Sequence, residues 1–130
     1  MSDFFDTIKS RFNSGNILMK FIFINIGVFI AIQVLYVITT LFRLESLILL
    51  SFIAVPSHLS DLVSRFWTPL TYMFVHEGFM HILFNMLWLY WFGNIFLSYF
   101  HERTLGSLYV LGGLAGALLF IIAYNTIPSY

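Results

Sequence analysis

An all-α protein embedded in a membrane is the fold class this sequence predicts, and three observations predict it. Of its 130 residues, 60% are hydrophobic and only 9% charged, with a mean hydropathy of +0.91; a soluble domain carries about 25% charged residues. Three apolar runs without charge, 21–42, 79–100 and 105–124, reach bilayer length. As helices they span about 33, 33 and 30 Å, against a hydrocarbon core of about 30 Å. Runs of that kind must satisfy their own backbone hydrogen bonds inside lipid, which the α-helix does within one segment.

The elements follow in order. Residues 1–20 form a lead in which Asp3 and Asp6 accompany Lys9, Arg11 and Lys20, with no small-x-small cleavage pattern behind the first apolar run. The lead reads as an interfacial helix on the cytoplasmic side, and 21–130 as one partial membrane domain. Between the first and second spans, 47–56 is apolar but too short to cross, which places it at the interface or against the bundle. Pro56-Ser57-His58 and Ser60-Asp61 are turn and cap signals, with Asp61 near a helix start. A long apolar loop of this kind packs, and often functions. In the third span, Gly112-x-x-x-Gly116 lets a neighbouring backbone come close and is a packing signal.

Cations set the orientation. Lys9, Arg11 and Lys20 precede the first span and Arg103 lies between the second and third, against Arg43 and Arg65 in the long loop. The bias predicts a cytoplasmic N-terminus and an outward-facing loop. Zero net charge argues against a nucleic-acid partner. The absence of cysteine removes disulfides, thiolate nucleophiles and thiolate metal ligands.

The chemically informative residues are His81 and Asn85, in the outer half of the second span. A four-residue offset leaves them about 40° apart on one helical face. Two hydrogen-bond donors at membrane depth are costly unless something uses them. One reading is an interhelical hydrogen-bond pair that holds a bundle; the other is a reaction site. His76, five residues earlier, would point about 140° away on a continuous helix, so a metal shared with His81 is not expected. His58 reads as solvated loop and His101 as interfacial.

Trp67-x-x-x-Thr71, Phe74-Val-His76, His81-Ile-Leu-Phe-Asn85-Met, Gly93 and Tyr109-Val-Leu-Gly-Gly-Leu-Ala-Gly116 together resemble the rhomboid intramembrane serine proteases. The similarity runs through nearly the whole chain from Phe21 onward. It implies a rhomboid-like helical bundle of six spans, of which three are present here, with a membrane-associated loop between the first two. It further implies that His81 and Asn85 stabilise the oxyanion of the tetrahedral intermediate. The family's serine, in a Gly-x-Ser-Gly motif on the fourth span, and its histidine on the sixth have no counterpart here, so the chain reads as the N-terminal part of such an enzyme. Ser107, the one serine that directly follows a glycine, begins the third span at the opposite face from His81 and is not a candidate nucleophile. Two positions depart from the common pattern: Thr68 follows the loop tryptophan where many members have Arg, and Leu97 and Ser98 stand where many carry Glu.

The expected activity is endopeptidase cleavage of transmembrane protein substrates, in a bacterial-type inner membrane, with the lipid bilayer as the other partner and no cofactor or metal. The alternative is a non-catalytic rhomboid-like protein that binds client helices without cutting them. A generic membrane scaffold would tolerate apolar replacements at both His81 and Asn85.

Overall fold

Asn16 opens the first long helix. Its backbone is extended (φ −69°, ψ 172°) and its side chain accepts the Met19 N–H at 3.1 Å, filling one of the free donors of the first turn. The computed structural model describes residues 1–43 and 51–127, and among these the helices with defined bounds are six α-helices and one short 3-10 turn. These are α1 (Ser2–Ser14), α2 (Ile17–Leu41), α3 (Leu59–Ser64), α4 (Thr68–Thr71), the 3-10 turn Tyr72–Phe74, α5 (Phe79–Leu97) and α6 (Glu102–Thr126). No strand occurs among the described residues. Helices α2, α5 and α6 are long and apolar enough to cross a membrane.

The three expected spans exist, with shifted ends set by local chemistry. The Asn16 cap starts α2 before Phe21 and places Lys20 in its first turns. Arg43, in the left-handed region at φ 54°, closes α2. Helix α5 stops at Leu97, with Ser98 at its C-cap donating its hydroxyl to the Asn94 carbonyl at 3.0 Å. Helix α6 starts at Glu102, whose carboxylate accepts the Ile17 N–H at 2.9 Å and ties the first turns of α2 and α6 together. Helices α2 and α6 therefore run parallel, with α5 antiparallel between them in sequence.

Packing is carried by small residues and one polar pair. Gly93 of α5 lies against Leu18, which is fully buried; a Cβ at Gly93 would sit 2.5 Å from Leu18 Cδ1. Asn25, also fully buried, donates to the Phe21 carbonyl at 2.8 Å and to the Tyr109 hydroxyl at 2.9 Å. The Tyr109 ring stacks on Phe21 with centroids 4.2 Å apart. On α6 the expected Gly112–Gly116 pattern is displaced: Gly112 faces open space, whereas Gly113 accommodates Met73 and Gly116 accommodates Tyr72. Gly113 and Gly112 are neighbours separated by about 100° on the helix, so only one of them can face the 3-10 turn.

Residues 47–50 of the apolar segment lie outside the described residues. From Ser51 onward it is anchored: residues 51–53 are helical, and their carbonyls, which a helix end leaves free, are capped in succession. Arg65 Nη1 donates to Ser51 O at 2.6 Å, Trp67 Nε1 to Phe52 O at 2.8 Å and Thr71 Oγ1 to Ile53 O at 2.9 Å. Few apolar side chains among the described residues are buried (Leu18, Ile82, Leu105, Ala117 and Ile121), and large ones such as Leu111, Leu119, Phe84 and Phe92 are exposed. In water that surface would be an aggregation liability; in a bilayer it is the lipid-facing side of an integral membrane protein.

Candidate functional site

The sequence between the 3-10 turn and α5 breaks the helix, and that break builds the site. Val75 is extended (φ −89°, ψ 126°), and Gly78 is extended again (φ −157°, ψ 165°) as it opens α5. His76 and His81 are therefore not on one continuous helix. Contrary to the divergence expected from their spacing, their rings meet edge to face with centroids 5.2 Å apart.

His76 is buried, and its Nδ1 lies 3.2 Å from the Phe74 carbonyl. A carbonyl only accepts, so Nδ1 carries the proton and the neutral ring keeps its lone pair on Nε2. Burial lowers the His76 pKa below its ordinary value; the Phe74 carbonyl raises it and repulsion from a charged His81 lowers it further. His76 is thus a neutral wall of the site, held by the backbone, in keeping with a structural role at the loop end.

His81 and Asn85 occupy the first turns of α5, both exposed, and line one cavity of about 400 Å³ with His76, Tyr72, Met73 and Tyr109. The Tyr72 hydroxyl donates to the Gly113 carbonyl and fixes the α6 wall. A second cavity of about 350 Å³ on the other side of Tyr72 also reaches His81. Among the described residues, neither the His81 nor the Asn85 side chain has a hydrogen-bond partner. The cavity therefore presents two donors on one face of α5, walled by aromatic and thioether groups.

The remaining candidates stand apart. Ser107 is exposed on α6 and does not line the cavity. His101 caps α6 at the far face, and His58 packs edge-on against Tyr124 at 6.0 Å. Among the described residues no group of three or more His, Cys, Asp or Glu is placed to hold a metal. The sequence reading did not single out Asn25, although an asparagine inside an uncharged span was a signal in its own right. It equally missed that Tyr72 and Met73 form the cavity wall, because a 3-10 turn leaves no periodic trace.

No curated protein and no solved structure matches the chain. The family model for the Rhomboid domain matches residues 63–129, a stretch that runs from the end of α3 through α6 and contains the whole cavity. With just over half of its length covered by that match, and its helices packed around His81 and Asn85, this chain belongs to the rhomboid family.

Proposed function

We propose that the chain supplies the oxyanion-binding half of a rhomboid-type intramembrane serine endopeptidase that cleaves transmembrane proteins, with His81 and Asn85 as the donors. One observation carries this reading: the two side chains share a cavity and lack partners, while every other asparagine of the described spans is bonded. Asn25 pairs with Tyr109, Asn94 with the Tyr90 carbonyl and Asn125 with the Ser57 and Ile121 carbonyls. A hydrogen-bond glue would show the opposite pattern. Preorganised donors stabilise charge that develops during acyl transfer because little reorganisation is needed, and more strongly where water is excluded.

Residues 1–130 contain no Gly-x-Ser-Gly motif; on this reading the nucleophile and its base reach the cavity from outside these residues. The cation bias supports a cytoplasmic start of α2, which on this reading leaves the cavity in the outer half of the bilayer. In the protein as its gene encodes it, Asn85→Ala and His81→Ala lower kcat by about 10²–10³-fold each, with KM little changed. The assay is turnover of a reconstituted transmembrane substrate, with thermal unfolding measured beside it. Folded variants that keep normal turnover would refute the assignment.

A further inference from the structure

Helix α1 is amphipathic in a particular way. At about 100° per residue, Met1, Phe4, Phe5, Ile8 and Phe12 fall within one arc of about 100°. Lys9 and Arg11 border that arc on its two sides, and Asp3 and Asp6 lie opposite. The apolar arc is open to its surroundings: Phe4 and Phe5 are 64% and 62% exposed.

Its direction is fixed. Gly15 and Asn16 turn the chain between α1 and α2 in two residues, and a Cβ at Gly15 would lie 2.8 Å from the Arg11 carbonyl, so a side chain there would force the turn to shift. Phe12 meets Phe23 edge to face at 6.5 Å. Phe23 is well inside α2, so the apolar arc points along α2 into the bilayer. An apolar cleft of about 460 Å³ remains between the helices, lined by Phe5, Ile8, Phe12, Phe23 and Ile24, with Lys9 at its edge.

We propose that α1 lies in the membrane surface as an anionic-phospholipid binding element, its phenylalanine arc among the acyl chains and Lys9 and Arg11 on headgroup phosphates. The charge arrangement selects lipid over a protein partner. Cations at both borders of an apolar arc match a phosphate layer lying over hydrocarbon, and the two aspartates are turned to the water. Lys20, in the first turns of α2, adds a third cation at the same level. This inference is independent of the catalytic reading.

The chain has no native cysteine, so single nitroxide labels report unambiguously. Labels at Phe4→Cys and Ser10→Cys are compared in the full chain reconstituted in phosphatidylcholine, with and without phosphatidylglycerol. The expected result is a Phe4 label accessible to oxygen and shielded from an aqueous nickel chelate, and a Ser10 label with the reverse. Adding phosphatidylglycerol deepens the Phe4 label, and Lys9→Glu with Arg11→Glu reduces the immersed-to-exposed ratio by about tenfold or more. Raising the salt on the unmodified pair of cations produces the same retreat, which tests the charge without a variant. Equal water exposure at both labels overturns the proposal, as does immersion indifferent to headgroup charge and salt. Loss of access to both reagents at Phe4 would mean a protein partner and would overturn it as well.

Discussion

Gly93→Ala probes the closest approach between the helix that carries the site and its neighbour. A Cβ at position 93 would stand 2.5 Å from Leu18 Cδ1, 2.9 Å from Cδ2 and 3.2 Å from Cγ. Carbon atoms pack at about 3.5–4.0 Å, so the nearest overlap is about 1 Å against two methyl groups. Leu18 is fully buried, so moving its side chain disturbs the packing around it. Helices α2 and α5 must then separate, at about 1–3 kcal/mol. All three obstructing atoms belong to the part of Leu18 that Leu18→Ala removes, so in that background Gly93→Ala should be nearly neutral. A double-mutant cycle on the reconstituted chain, read by tryptophan fluorescence during denaturation in bicelles, should give a coupling of about 1–3 kcal/mol. Additivity within about 0.5 kcal/mol would refute the contact and with it the α2–α5 spacing described here.

Other expectations are equally direct. Asn25→Leu should destabilise the bundle by about 0.6–2 kcal/mol, since it strands the Tyr109 hydroxyl, and Tyr109→Phe in that background should recover part of the loss in the same unfolding assay. His76 has a folded-state pKa below 6.5, so the unfolded chain binds the extra proton first. Stability from this group is fully present above about pH 6.5 and declines as pH falls through 6.5 toward the lowered value; a denaturation series against pH should lose that slope in His76→Gln. Trp67→Phe removes the hydrogen bond to Phe52 O and should loosen the anchored segment by about 0.5–1.5 kcal/mol, visible as faster proteolysis near residues 51–58.

How much of this was legible in the sequence depends on period. The three spans announce themselves because an apolar run of about 20 residues has few alternatives in lipid. Their ends were less legible, since caps such as Asn16 and Ser98 sit outside or at the edge of the runs. The fixed spacing of His81 and Asn85 on one helix was readable from a four-residue offset. The meeting of His76 with His81 was not, because it depends on backbone angles at Val75 and Gly78 that leave no composition signal. The loop anchor was half legible. Trp67 and Thr71 were visible as a pattern, yet their common purpose, capping successive carbonyls, appears only with Arg65 beside them. Thr68, which stands where many rhomboids have Arg, is buried and bonded to the Arg65 carbonyl at 2.8 Å. Arg65 itself pairs with Asp61 at 3.4 Å while it caps Ser51, so an arginine does hold this loop, from two positions before the tryptophan instead of one after.

The placement of polar groups bears on what the cavity is for. A donor left without a partner in hydrocarbon costs several kcal/mol, so membrane helices keep such groups only where they are bonded or where a polar space receives them. Three threonines follow the first course: Thr39 and Thr40 donate to the Tyr36 carbonyl and Thr126 to the Ile122 carbonyl. Asparagines 25, 94 and 125 do the same. His81 cannot fold back in that way without leaving the cavity, because its ring is held against His76, whose own proton is committed to Phe74. Asn85 is able to reach its own helix backbone, as Asn94 does on the same helix, and yet it faces the cavity instead. Two residues of one type on one helix, one satisfied locally and one turned outward, separate structural polarity from reserved polarity. Asn85→Leu should therefore change stability far less than Asn25→Leu does, in the same unfolding assay, while removing the proposed oxyanion donor. If Asn85→Leu unfolds the bundle as readily as Asn25→Leu, the outward donor is holding structure after all, and the reserved role fails.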